Sequence, residues 1–143
     1  MSLDPHNLLA CVHPDLVKVL HAAAQAPQPF QVTYGLRTQE AEDAAVAAGK
    51  SETKHSRHLA CARYDGTAMA IDFACVTSEG LTWKVSDDSG GVYHTAANQI
   101  MAAAESLGVK IQWGGQQIGA WVDGQVSHFR DWDHIQLDPS AYP

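Results

Sequence analysis

The sequence predicts an α+β domain: a small, mostly antiparallel sheet flanked by helices. Three observations support this. Apolar residues recur at helical spacing in two segments, near 14–23 and 92–107. Short runs of strand character appear at 30–34, 68–76 and 133–137. The two kinds of segment intermix without a regular βαβ rhythm, which argues against a parallel sheet. A chain of 143 residues with 45% hydrophobic content fits one domain, 1–143, with one core.

Each element has a local cause. Pro14 suits the first position of a helix and Asp15 favours its positive end. Leu16, Val19, Leu20 and Ala23 give that helix a buried face, and Pro27 and Pro29 stop it. Phe30-Gln31-Val32-Thr33-Tyr34 alternates apolar and polar residues and reads as a strand. Thr38 caps an alanine-rich helix over 39–48, ended by Gly49. Residues 50–67 are polar and irregular and read as a long loop of the kind that is usually functional. A central strand at 68–76 and a partner at 81–85 are joined by Ser78-Glu79-Gly80. In the helix at 92–107, Ala97, Ile100, Met101, Ala104 and Leu107 mark one face, and Gly108 stops it. Val109 to Trp113 is a strand ended by Gly114-Gly115, and Asp133 to Leu137 is the last.

Composition narrows the function. Nine basic residues stand against sixteen acidic ones, for a formal charge of -7, and no run of Lys or Arg occurs. That surface is a poor footprint for nucleic acid or an anionic membrane. No segment is apolar over a bilayer-spanning length, and no signal peptide is visible. Cys11, Cys61 and Cys75 are widely spaced and odd in number, so they read as structural thiols rather than a disulfide framework.

The chemistry points to a metal. His58, Asp72 and His134 form a set of two imidazoles and a carboxylate. Such a three-ligand set leaves a fourth position open, as in a catalytic zinc (Zn2+) site. Strand alternation places Ala70, Asp72 and Ala74 on one face, with Ile71 and Phe73 on the other. A carboxylate in the run Ala-Met-Ala-Ile-Asp-Phe-Ala is costly to bury without a partner, and a cation is one of few partners available. His134 sits in the last strand, with Ile135 and Leu137 alternating around Gln136. Asp131, three residues before His134, is placed to act as general base toward a water activated at the metal. His55 reads as exposed, and His6, His13, His21, His94 and His128 have no partner evident in the sequence.

Ser56-Arg57-His58-Leu59, then Ala70-Ile71-Asp72-Phe73, then Asp131-x-x-His134 resembles the zinc peptidases that cut bacterial cell-wall peptides. These are the D-alanyl-D-alanine carboxypeptidases and dipeptidases, and the phage endolysins that cleave between L-alanine and D-glutamate. The likeness extends to His13-Pro14-Asp15-Leu16, to Val32-Thr33-Tyr34-Gly35-Leu36-Arg37-Thr38 and to Gln112-Trp113-Gly114-Gly115. The resemblance implies a Hedgehog/D,D-peptidase-like fold, with zinc on His58, Asp72 and His134 and Asp131 as general base. It implies that Arg37 steadies the developing oxyanion and that Ser56 helps hold the substrate or the loop; for Arg37 a surface salt bridge with Glu40 or Asp43 is the plainer alternative. It further implies a peptidoglycan hydrolase made in the host cytoplasm and acting on the wall after release, as a monomer without a separate wall-binding module. One departure stands out. The family pattern His-x-x-Gly-x-Ala-x-Asp separates its first two ligands by seven positions, whereas His58 and Asp72 lie fourteen apart. Asp65 sits seven after His58, but Asp65-Gly66 reads as a turn and Asp72 has the strand flanks, so Asp72 is the expected ligand. Two other readings remain: a D,D-carboxypeptidase using Arg37, Arg57 or Arg63 to hold a terminal carboxylate, and a non-catalytic zinc module that binds a partner.

Overall fold

The computed structural model describes residues 3–24, 27–49, 57–82, 91–114 and 133–143. After a 3-10 turn at Leu8–Cys11, the helices are α1 (Pro14–Ala23), α2 (Gln39–Ala47) and α3 (Val92–Leu107). The strands are β1 (Phe30–Tyr34), β2 (Ala60–Cys61), β3 (Thr67–Ala68), β4 (Ala70–Thr77), β5 (Gly80–Thr82), β6 (Ile111–Trp113) and β7 (His134–Leu137). This is the mixed α+β architecture the sequence predicts, and every pairing between these strands is antiparallel.

The main sheet runs in the order β1-β4-β7-β6. Strand β5 pairs with the far end of β4, at Cys75–Thr77, beyond the Ala70–Asp72 stretch that pairs with β7. Alternation then divides the residues between two faces. Phe30, Val32, Ile71, Phe73, Ile135 and Leu137 stand on the core face, together with Trp113. Helices α1 and α3 pack on each other, and Leu16, Val19, Leu20, Tyr93, Ala96, Ala97, Ile100 and Ala104 complete the same core. Burying each valine, leucine, isoleucine or phenylalanine of this core contributes roughly 1.5–3 kcal/mol. The opposite face carries Asp72, His134, Gln136 and Gln112.

The helix boundaries follow their signals. Thr38 Oγ1 accepts the Ala41 N–H at 3.1 Å, as an N-cap does. Gly108 takes φ 71°, and the N–H groups of Gly108 and Val109 close on Glu105 and Ala104, forming a Schellman stop. Helix α1 has an unexpected cap: His13 Nδ1 accepts the Asp15 N–H at 3.0 Å. The His13 ring also stands edge-on to Tyr64 and Tyr142, so this histidine has structural partners that are not evident in the sequence.

Three local expectations are revised. The stretch read as a loop over 50–67 contains β2 and runs into its hairpin partner β3, and 50–56 lie outside the described residues. Leu107, assigned to the buried face of α3, is 49% exposed because the helix ends there against Gly108. Strand β5 covers Gly80–Thr82, and 83–85 are outside the described residues. Among the described residues, no helix is long and apolar enough to cross a membrane.

Candidate metal centre

Two strand pairings and one loop crossing assemble the site. Asp72 lies directly opposite His134 in the β4–β7 pairing, so their side chains rise from the same face. His58 comes from outside the sheet, held by its neighbours' backbone. The Arg37 N–H donates to His58 O at 2.8 Å, and the Met69 N–H donates to Arg57 O at 2.9 Å. The His58 ring is thereby laid across the end of β1 toward β4.

The three sequence-predicted ligands meet. One donor atom from each of His58, Asp72 and His134 lies within 4.8 Å of the others. His58 Nε2 is 3.1 Å from Asp72 Oδ1, and His134 Nδ1 is 3.4 Å from the same oxygen. The histidines are buried, and the Asp72 side chain is 20% exposed, so the cluster opens to solvent at the carboxylate. Asp65 does not join it: it sits exposed in the β2–β3 turn with φ 60°.

The outer nitrogen of each ring has an acceptor. His58 Nδ1 is 2.8 Å from the carbonyl of Gly35, and His134 Nε2 is 2.9 Å from Gln136 Oε1. A ring that donates there as a neutral imidazole has only a lone pair on its other nitrogen. Two lone pairs then face one carboxylate oxygen, an arrangement that repels itself unless a cation or an added proton stands between. The donor set, its inward lone pairs and its outer hydrogen bonds fit a divalent metal such as zinc. Burial alone would raise the Asp72 pKa, but where His58 and His134 carry that added proton, their charge and hydrogen bonds outweigh it and hold the carboxyl well below its usual range.

A bulge in β1 adds a residue that sequence reasoning missed. Val32 pairs with Phe73, but Tyr34 rather than Thr33 pairs with Asp72. The extra residue turns Tyr34 from the core face, where plain alternation puts it, to the face of Asp72. Its ring stands perpendicular to His58 with centroids 5.3 Å apart. Arg37 Nε donates to Tyr34 Oη at 3.2 Å, and the guanidinium carbon lies 4.7 Å from the ring centroid. Arg37 is thus held beside the ligand cluster. Arg57, offered above as an anchor for a substrate carboxylate, instead donates Nη2 to the carbonyls of Tyr142 and Leu137, at 2.7 and 3.4 Å. Ser56 and Asp131 lie outside the described residues.

Residues 1–137 match the phage L-alanyl-D-glutamate peptidase family. The chain belongs to that family. The crystal structure of the Serratia marcescens L-Ala D-Glu endopeptidase ChiX is similar, with a TM-score of 0.75 and 31% identity over 95% of this chain and 87% of that one. No curated protein matches the chain. Membership makes this peptidase a hydrolase of the peptidoglycan-cleaving class. Its fold is the one expected from the zinc-peptidase resemblance.

Proposed function

We infer that this peptidase is a zinc-dependent endolysin that cleaves the L-alanyl–D-glutamate bond of the peptidoglycan stem peptide. The convergence of His58 Nε2, Asp72 Oδ1 and His134 Nδ1, in a member of this family, is the observation that supports the reading. Those three atoms would hold the ion. Zinc there supplies a Lewis acid that acidifies water toward neutral pH and polarises a peptide carbonyl.

The chain's own residues then divide the remaining work. Asp131, three positions before His134, takes the proton of the attacking water and returns it to the leaving amine. Arg37, braced by Tyr34, offers positive charge to the oxygen that becomes negative as the carbonyl is attacked. Ser56, two positions before His58, helps hold the substrate. Residues 1–143 would act on the cell wall as one catalytic domain and as a monomer.

Purified peptidoglycan, digested with the zinc-loaded protein, tests the assignment. Mass analysis is expected to show new L-alanine carboxyl ends and new D-glutamate amino ends. Release of free D-alanine instead would identify a D,D-carboxypeptidase, and an intact wall would favour a binding module. Asp131→Ala is expected to abolish digestion while keeping one zinc per chain; unchanged digestion would remove Asp131 from its role.

A further inference from the structure

The amide pair behind His134, a buried Gln136 and a half-buried Gln112, stands out on the site face of the sheet. Gln136 lies two residues beyond His134 on β7, so both side chains leave the strand on the same side. Gln112 is its register partner on β6, and on the other flank Gln136 faces Ala70, which is too small to intrude. Gln136 is 2% exposed. Its Oε1 is 2.9 Å from His134 Nε2, and its Nε2 donates to Gln112 Oε1 at 3.1 Å.

We propose that Gln136 and Gln112 form a positioning relay that fixes which nitrogen of His134 is available to the metal. A neutral imidazole has one N–H and one lone pair. With Gln136 Oε1 accepting from Nε2, the lone pair is on Nδ1, the nitrogen facing Asp72. An amide turned end for end would present its NH2 group to Nε2 and require the lone pair there. The ring proton would then move to Nδ1 and block the metal corner. Gln112 Oε1 accepts the Gln136 N–H, so turning Gln136 alone would set two amide oxygens against each other. Neither glutamine touches the reacting atoms; each acts through His134. The same logic explains the asymmetry of the two ligands. His58 is fixed by a backbone carbonyl, which can only accept, whereas His134 relies on a reversible amide and needs a second residue to set its sense.

The inference rests on the zinc reading, and the experiment separates the two. Zinc affinity is measured by competition with a chromophoric chelator for wild type, Gln136→Leu, Gln112→Leu and Gln136→Glu, with circular dichroism to verify folding. Both leucine variants are expected to bind zinc about 10–100-fold more weakly, the usual cost of losing such a support. Gln136→Glu keeps an acceptor toward Nε2 and is expected to retain wild-type affinity or exceed it. In the zinc-loaded protein, nuclear magnetic resonance is expected to show the His134 Nε2–H protected from exchange in wild type and Gln136→Glu, and fast-exchanging in Gln112→Leu. If Gln136→Leu fails to fold, Gln112→Leu and Gln136→Glu decide the matter. Wild type that binds no zinc would overturn the zinc reading and the relay with it. Wild type that binds zinc, with both leucine variants within twofold of it, or with Gln136→Glu as weak as leucine, would overturn the relay alone.

Discussion

Replacing Gly35 with alanine links packing beneath the site to metal affinity above it. Gly35 is buried, and its carbonyl accepts from His58 Nδ1 at 2.8 Å. A methyl group at its Cα would stand 3.1 Å from the Leu8 carbonyl oxygen and 3.3 Å from Val12 Cγ2. The nearer contact is backbone, so no side-chain rotation relieves it. The chain around Gly35 must shift by a few tenths of an ångström. Overpacking of this kind costs about 1–3 kcal/mol, and each kcal/mol lowers Tm by about 2–4 °C in a chain of this size. The same shift lengthens a 2.8 Å hydrogen bond toward the limit of useful geometry, and weakening that support is expected to reduce zinc affinity about tenfold. Thermal denaturation of the metal-free protein reads the first effect, and chelator competition reads the second. A lowered Tm with unchanged zinc affinity would refute the proposed dependence of His58 on the Gly35 carbonyl.

Two further outcomes follow from the same geometry. Tyr34→Phe removes the acceptor of the Arg37 Nε–H but keeps the ring against His58; kcat is expected to fall several-fold with zinc content unchanged, and a parallel loss of zinc would mean that Tyr34 serves the metal instead. Asp72 has a depressed pKa, so its contribution to metal-free stability is complete above the ordinary carboxylate value of 3.8 and is lost as pH falls below it. Asp72→Asn should therefore flatten the acid limb of the stability curve below about pH 4; an unchanged limb in urea titrations would show that the depressed pKa contributes no stability.

The elements legible in the sequence were those with short-range causes. The span Val92–Leu107 follows from helical spacing and Gly108, and the start of α2 follows from Thr38. Asp72 and His134 were legible as site residues because alternation sets each against an apolar opposite face. Their direct pairing was not, since it depends on how β4 and β7 align across more than sixty positions. Tyr34 was hidden because Phe-Gln-Val-Thr-Tyr looks like an unbroken strand, and the bulge is visible only once Val32 and Tyr34 have partners. Gln136 read as the polar side of a strand, and its amide acquires meaning only beside His134 and Gln112. The β2–β3 hairpin leaves no signal in the sequence because each strand is two residues long, too short to show a period. His13 does not stand out as a cap in the sequence because serine, threonine, aspartate and asparagine dominate that position.

X-ray absorption at the zinc edge, on protein equilibrated with one equivalent of zinc, reads the ligand set at the ion itself. One ion per chain is expected, with only nitrogen and oxygen neighbours near 2.0–2.2 Å, including the multiple-scattering signature of two imidazoles. A sulfur shell near 2.3 Å, which would mean that a cysteine such as Cys61 or Cys75 is a ligand, would contradict it, as would a chain that retains no zinc.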